Sequence, residues 1–295
     1  MAGTYTKDWG GSHPGCMIIL LDQSGSMASP FGRSQAGSGQ QKCDAVATVL
    51  NGFLNELISI NTIVDASGAP VVKPRADIAV IGYEGGTVAS ALGGALASKD
   101  FVTLAELQMN PINIEMRKVR DIDATGKVIE MQVPFPVWVN PKAGGGTPML
   151  RALNEARDLA KQWATNHPNN YPPVIINVTD GMAGGDLQNA AQEICQVSTN
   201  DGLALLFNIH ITELPNPEVA YPSSNNELPP DKFARLLFSM SSLIPDTSRV
   251  LLETQIGRPV PAGARGMVFN GDAASVRMMF NFASAPASKP LDPNL

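Results

Sequence analysis

Cysteine, histidine, clustered positive charge and long apolar runs are all scarce in this chain. Its three cysteines, Cys16, Cys43 and Cys195, are odd in number, far apart and without a C-x-x-C pair. That excludes a disulfide framework and fits reduced thiols packed as small apolar groups. Cys16 directly precedes an apolar run and Cys195 falls in an expected helix, so neither reads as catalytic. The three histidines are equally scattered: His13 near a terminus, His167 in a Pro/Asn loop and His210 in an apolar run. Lys and Arg never cluster, and 27 acidic against 21 basic residues leave a net charge of −6. Nucleic acid is therefore not expected as a partner, because phosphate contacts demand clustered Lys and Arg. No stretch reaches the ~18 apolar residues needed to span a bilayer, and the opening Met-Ala-Gly-Thr-Tyr-Thr-Lys-Asp-Trp-Gly-Gly lacks the apolar core of a signal peptide. The expectation is a cytoplasmic protein with no membrane partner.

What remains is a chain of 295 residues, 44% hydrophobic, with 23 prolines and 27 glycines and no change of composition along its length. A single domain over residues 15–285 accounts for it, with 1–14 and 286–295 as flexible termini. Buried strands are expected where short apolar runs meet turn signals: 17–21, 77–83, 174–179, 204–211 and 266–269. Between them, apolar residues at steps of three and four predict helices over 42–59 (Val46, Val49, Leu50, Phe53, Leu54, Leu57), from Thr147 to about 164, over 186–197, through Phe233 to Met240, and over 273–283. Strands alternating with helices imply an α/β fold, a doubly wound and mostly parallel sheet flanked by helices. Residues 101–140 interrupt the alternation. Within them, 114–119 and 127–133 flank Asp-Ala-Thr-Gly and predict a β-hairpin insertion, and Val137-Trp138-Val139 reads as an edge strand after Pro134 and Pro136.

The chemistry gathers where apolar runs end. Met-Ile-Ile-Leu-Leu stops at Asp22, and Ser24 and Ser26 follow at every second position with a glycine between them. One carboxylate and two hydroxyls at a strand end outline a site for a hard cation, Mg²⁺, Mn²⁺ or Ca²⁺, rather than for zinc. Val-Ile-Ile-Asn-Val-Thr ends likewise at Asp180-Gly181, and Gly-Gly-Gly-Thr-Pro-Met at 144–149 opens a helix with Thr147 as expected N-cap and Pro148 as first helical residue. In open α/β sheets, ligands bind beyond the carboxyl ends of strands where the strand order reverses.

In order and spacing, the DxSxS at 22–26, Thr147 and Asp180-Gly181 resemble the metal-ion-dependent adhesion site of von Willebrand factor A (VWA) domains, of the bacterial stand-alone type. The resemblance covers nearly the whole chain. It implies a VWA/Rossmann-like fold with the strands ending at Asp22 and Asp180 as neighbours. It also implies Mg²⁺ held by the hydroxyls of Ser24, Ser26 and Thr147, with Asp22 and Asp180 binding through water. A carboxylate from a partner protein would complete the metal shell. Relatives of this kind work beside kinases, phosphatases or AAA+ ATPases, which are the partners the resemblance implies. The loop at 28–41 and the insertion at 101–140 are the departures, either of which could cover the metal or contact the partner.

Each residue has an ordinary alternative: hydroxyls cap helices and turns, and Asp-Gly is a common turn pair. The argument lies in five spaced oxygens occurring together. Enzyme readings are weaker. A phosphoaspartyl phosphatase would place a second Asp where Ser24 stands, a P-loop would need a Lys that Gly144-Gly145-Gly146-Thr147-Pro148 lacks, and neither G-x-S-x-G nor G-x-G-x-x-G follows the first apolar run. A metal-dependent phosphotransfer or hydrolytic enzyme in the same pocket stays as the alternative to a Mg²⁺-dependent protein-interaction module.

Overall fold

A computed structural model describes residues 3–31, 39–122, 128–181, 183–212 and 216–287. In chain order its elements are β1 (Gly15–Asp22), α1 (Lys42–Ile60), β2 (Thr62–Val64), β3 (Pro70–Val72), β4 (Ala76–Glu84), β5 (Thr87–Ser90), β6 (Val102–Thr103), α2 (Leu104–Met109), β7 (Asn113–Ile122) and β8 (Val128–Val137). The second half adds α3 (Met149–Asn166), β9 (Val174–Thr179), α4 (Leu187–Ile194), β10 (Leu205–His210), β11 (Val219–Ala220), α5 (Lys232–Met240), α6 (Asp246–Ile256), β12 (Met267–Phe269) and α7 (Ala273–Ala283).

The main sheet runs β11-β12-β10-β9-β1-β4-β5, with β6 also on β4. Its five inner strands are parallel, and β5, β6 and β11 pair antiparallel at the margins. Strands covered on both faces carry continuous apolar runs, and all eight residues of β1 are buried. Period-two alternation divides that burial. Met17, Ile19 and Leu21 join the core beneath α1, α2, α6 and α7, while Cys16, Ile18 and Leu20 join the core beneath α3, α4 and α5. Helix α1 is long and apolar enough to cross a bilayer by length and composition. Its Leu50, Phe53, Leu54 and Leu57 are instead spent on the first of these cores.

From β1 the chain goes to β4 on one side, then crosses to β9 on the other. Strand order thus reverses at β1, and β1 pairs β9 in parallel from Met17 opposite Val174 to Leu21 opposite Val178. Asp22 and Asp180 leave these two strands at the same end.

The hairpin is longer than expected, a two-stranded ribbon from Asn113 opposite Val137 to Ile122 opposite Val128; its Asp-Ala-Thr-Gly turn lies outside the described residues. The expected edge strand at 137–139 is not formed. Val137 closes β8, and Trp138 and Val139 are buried off the sheet because Asn51 of α1 takes their backbone. Its Oδ1 accepts from the Trp138 and Val139 amides at 2.9 and 3.1 Å, and its Nδ2 donates to the Val139 carbonyl at 2.8 Å. Residues 3–14, expected to be flexible, pack onto the fold instead. Trp9 is buried, and the Asp201 carboxylate accepts hydrogen bonds from Thr4, Thr6 and Lys7. Cys195 stands just past the last residue of α4 rather than within it. Helix α6 carried no expectation, since only Leu252 of its eleven residues is buried and no apolar stripe marks it.

Replacing Asn51 with Ala should orphan three buried backbone groups at about 1–3 kcal/mol each. Urea unfolding of Asn51→Ala is expected to show a clear loss of stability; an unchanged midpoint would mean that this brace is dispensable.

Candidate functional site

Burial and hydrogen bonding fix Asp22 where β1 ends. Its Oδ1 accepts from the Ser24 amide at 2.9 Å, which closes the turn after the strand, and its Oδ2 accepts from the Thr179 hydroxyl at 2.7 Å. Thr179 is the last residue of β9, so this second bond staples the two neighbouring strand ends together. Burial pushes the Asp22 carboxyl above its ordinary range; the Ser24 and Thr179 hydrogen bonds oppose that rise, and the nearby Asp180 charge adds to it.

From Asp22 a chain of oxygens leads outward. Ser24 Oγ lies 3.1 Å from Ser26 Oγ, and the Ser26 hydroxyl donates to Asp180 Oδ1 at 2.7 Å. Ser24 is buried and Ser26 exposed, so the row opens to solvent at Ser26. The other oxygen of Asp180 is taken by Lys42, whose ammonium approaches Oδ2 at 2.9 Å.

The glycine loop forms the third wall. Gly25 N donates to Gly145 O at 3.0 Å, Gly144 N to Gln23 O at 2.8 Å, and Gly85 N to Gly146 O at 2.7 Å. These bonds lock residues 144–146 between the exits of β1 and β4. Gly145 has φ +64°, and a Cβ there would stand 2.7 Å from Gly85 Cα, so only glycine fits. Thr147 follows directly but is not the helix cap. Pro148 holds that position and α3 begins at Met149. Proline before Met149 supplies no capping side chain, and the Thr147 hydroxyl forms no hydrogen bond among the described residues.

The strand ends therefore bring Asp22, Ser24, Ser26 and Asp180 into one hydrogen-bonded row, with the Thr147 loop beside it. Two contributors were missed from sequence. Thr179 was hidden by its neighbour, the more conspicuous Asp180. Lys42 carried a usable signal: a cation at the first position of α1 opposes the helix dipole, which is tolerable where a carboxylate meets it. Glu84, at the end of β4, is ion-paired with Lys142 beside the glycine loop. His210 ends β10 buried against Phe233 and Phe269. Desolvation pushes its imidazole down to about 4, although the Asp231 and Asp180 carboxylates pull the other way.

Among the described residues no group of three or more His, Cys, Asp or Glu side chains is placed to hold a metal ion. A cation here would depend on hydroxyls and water beside two carboxylates, a donor set suited to Mg²⁺ and not to zinc. The spacing fits. Adjacent oxygens around an octahedral Mg²⁺ at ~2.1 Å lie about 3 Å apart, and the hydroxyls of Ser24 and Ser26 are 3.1 Å apart.

No family model matches the chain, and no curated protein does. Solved structures do match. The chain is similar to the SpRpn10 VWA domain at 14% identity, with 68% of this chain and 77% of that one covered and a TM-score of 0.35. It is similar to the PilB minor pilin from Streptococcus sanguinis at 10% identity, covering 93% of this chain and 62% of the pilin, with a TM-score of 0.44. A third match is an uncharacterized membrane spanning protein from Vibrio fischeri, at 15% identity, 76% and 86% coverage and a TM-score of 0.23. None of the three carries a residue's role or a ligand over to this chain.

Thr179→Val keeps the side-chain shape and removes the hydroxyl that Asp22 accepts from. A hydrogen bond to a charged group contributes about 1.5–3 kcal/mol, so the variant should unfold at lower urea than wild type. Equal midpoints would show that the staple between β1 and β9 contributes nothing.

Proposed function

We propose that this protein is a VWA-type interaction module that binds an acidic partner protein through a divalent cation, Mg²⁺ in the first instance, at the carboxyl ends of β1 and β9. The observation that carries the reading is the continuous row Ser24, Ser26, Asp180, anchored by buried Asp22 at the strand-order reversal and flanked by the locked glycine loop. Ser24, Ser26 and Thr147 are its hydroxyl ligands, and Asp22 and Asp180 hold the charge behind them. Bound there, the cation supplies positive charge for a carboxylate of the partner. The chain's own residues orient the donors, and exposed Ser26 leaves the approach open.

Binding fits the geometry better than turnover. Both oxygens of Asp22 are engaged by Ser24 and Thr179, so neither is aimed outward as a nucleophile. The histidine at the neighbouring strand end, His210, is buried and its imidazole is pushed down to about 4, which makes it a weak general base. The partner belongs to a cytoplasmic bacterial assembly in this reading, with kinase, phosphatase or AAA+ ATPase components as the classes to test first.

A ligand selective for the folded state stabilises it by mass action, about 2.7 kcal/mol at ~100 times its Kd. Thermal unfolding of wild type should therefore shift upward with Mg²⁺, while Asp22→Ala and Ser26→Ala should not respond. Affinity capture from native lysate should retain a partner in Mg²⁺ and lose it in EDTA or with Ser26→Ala. No metal response in wild type, together with metal-insensitive capture, would overturn the proposal. Metal-dependent hydrolysis of a generic phosphoester, lost in Asp22→Asn, would replace it with the enzyme reading.

A further inference from the structure

We infer that the outer edge of β7 is a dimerisation surface, on which β7 of a second copy of this chain pairs antiparallel about a two-fold axis centred on Met116. The interface uses none of Asp22, Ser24, Ser26, Thr147 or Asp180, so it stands or falls apart from the metal reading.

A two-stranded ribbon is marginal in water by itself, and this one, among the described residues, pairs with no strand of the main sheet. Its two edges are unequal. On β8, Pro136 stands opposite Ile114 and Pro134 opposite Met116, and neither has an N–H to give. The Ile114 amide accordingly leaves the ladder and donates to Asn113 Oδ1 at 2.9 Å. Ladder bonds alternate along an antiparallel pair, so they fall at Asn113, Glu115, Arg117 and Val119, and the backbone groups of Ile114, Met116, Lys118 and Arg120 face outward. Proline thus spoils the outer edge of β8 and leaves that of β7 intact. Residues 113–116 and 118–120 are exposed, Ile114 and Met116 by more than half.

Charge selects the occupant and its register. Outward groups must meet outward groups, so the two-fold axis falls on a residue and not between two. Centred on Glu115, Arg117, Lys118 or Arg120, it sets that charge against itself; centred on Val119, it sets Lys118 against Arg120. Centred on Met116, it sets Glu115 against Arg117 twice, Met116 against Met116, and Ile114 against the aliphatic stem of Lys118. Within one copy, the Arg117 guanidinium lies 3.4 Å from the centre of the Phe135 ring and donates from Nε and Nη2 to Glu115 Oε2 at 3.0 and 2.8 Å. Arg117 Nη1 and Glu115 Oε1 carry no hydrogen bond among the described residues, and these are the groups a second copy meets. Pairing makes a four-stranded sheet with Ile114, Met116, Pro134 and Pro136 of both copies on one face, which supplies the stability a lone ribbon lacks.

The test is sedimentation equilibrium of the full chain over a range of concentrations, with circular dichroism as the check on folding. Wild type should approach the mass of two chains as concentration rises. Met116→Pro removes an outward N–H and should stay monomeric. Glu115→Arg or Arg117→Glu alone opposes like charges twice and should associate roughly tenfold more weakly. An equimolar mixture of those two variants restores both ion pairs and should recover the dimer, which a misfolded ribbon could not do. Met116→Cys should also form an intermolecular disulfide under mild oxidation, because opposed residues of a hydrogen-bonded pair have Cα atoms ~5.5 Å apart; Val119→Cys should not. A single-chain mass for wild type at every concentration would overturn the inference. So would a dimer unweakened in Met116→Pro and both charge variants, or a mixture no more associated than its components.

Discussion

Parallel pairing of β1 with β9 is the constraint on which the rest of the site depends. The two strands run in register through the middle of the sheet, Ile19 opposite Ile176 and Leu21 opposite Val178. Both are buried on each face, so neither can slip by one residue without turning its side chains into the wrong core. That fixed register sets Asp22 level with Thr179, one residue before Asp180, and the 2.7 Å bond from Thr179 to Asp22 ties the strands at that level. Two carboxylates brought so close would repel each other in a buried setting. The structure offsets this with the Ser24 amide, the Thr179 and Ser26 hydroxyls and the Lys42 ammonium.

The crossover that separates β4 from β9 in the chain explains why so much sequence intervenes between Asp22 and Asp180. Residues 101–140 lie in that crossover and are largely spent on the β7–β8 ribbon, which among the described residues pairs with no strand of the main sheet. Asn51 binds the end of the ribbon to α1 through Trp138 and Val139. From there the chain passes within a few residues to Gly144–Gly146, which is held against Gln23, Gly25 and Gly85. The insertion therefore leaves the fold at the amino end of β4 and rejoins it close to the site, and its strands expose Ile114, Met116 and Val128.

Much of the architecture could be read from residues because its signals are local. The run Met17–Leu21 and the run Val174–Thr179 are too short and too uniformly apolar for surface helices, and α1 and α3 announce themselves by the spacing of Leu50, Phe53, Leu54 and Leu57 and of Leu153, Ala156 and Ala160. Failures occur where burial or pairing is decided by something distant. Trp138 and Val139 look like a strand because they are apolar, yet the distant Asn51 takes three of their four backbone groups and Gly93 the fourth. Helix α6 is largely exposed and so leaves no stripe to read. The short β2, β3, β5 and β11 are too brief to carry a pattern at all.

The same division holds within the site. Asp22, Ser24 and Ser26 were legible as a group because one turn contains all three. Thr179 and Lys42 were not, because their meaning comes from the strand order and from the packing of α1 over the sheet. Their contributions differ in kind from those of the outer hydroxyls. Ser26 is exposed, whereas Thr179 and Lys42 are buried against the carboxylates they hold. Thr179 fixes the position of Asp22, and Lys42 pairs with Asp180. A variant retaining Asp22, Ser24, Ser26, Thr147 and Asp180 but losing these two would keep every recognisable element of the sequence pattern. It would nonetheless leave Asp22 without its Thr179 hydrogen bond and Asp180 without its Lys42 ion pair, so the sequence pattern alone does not define the site.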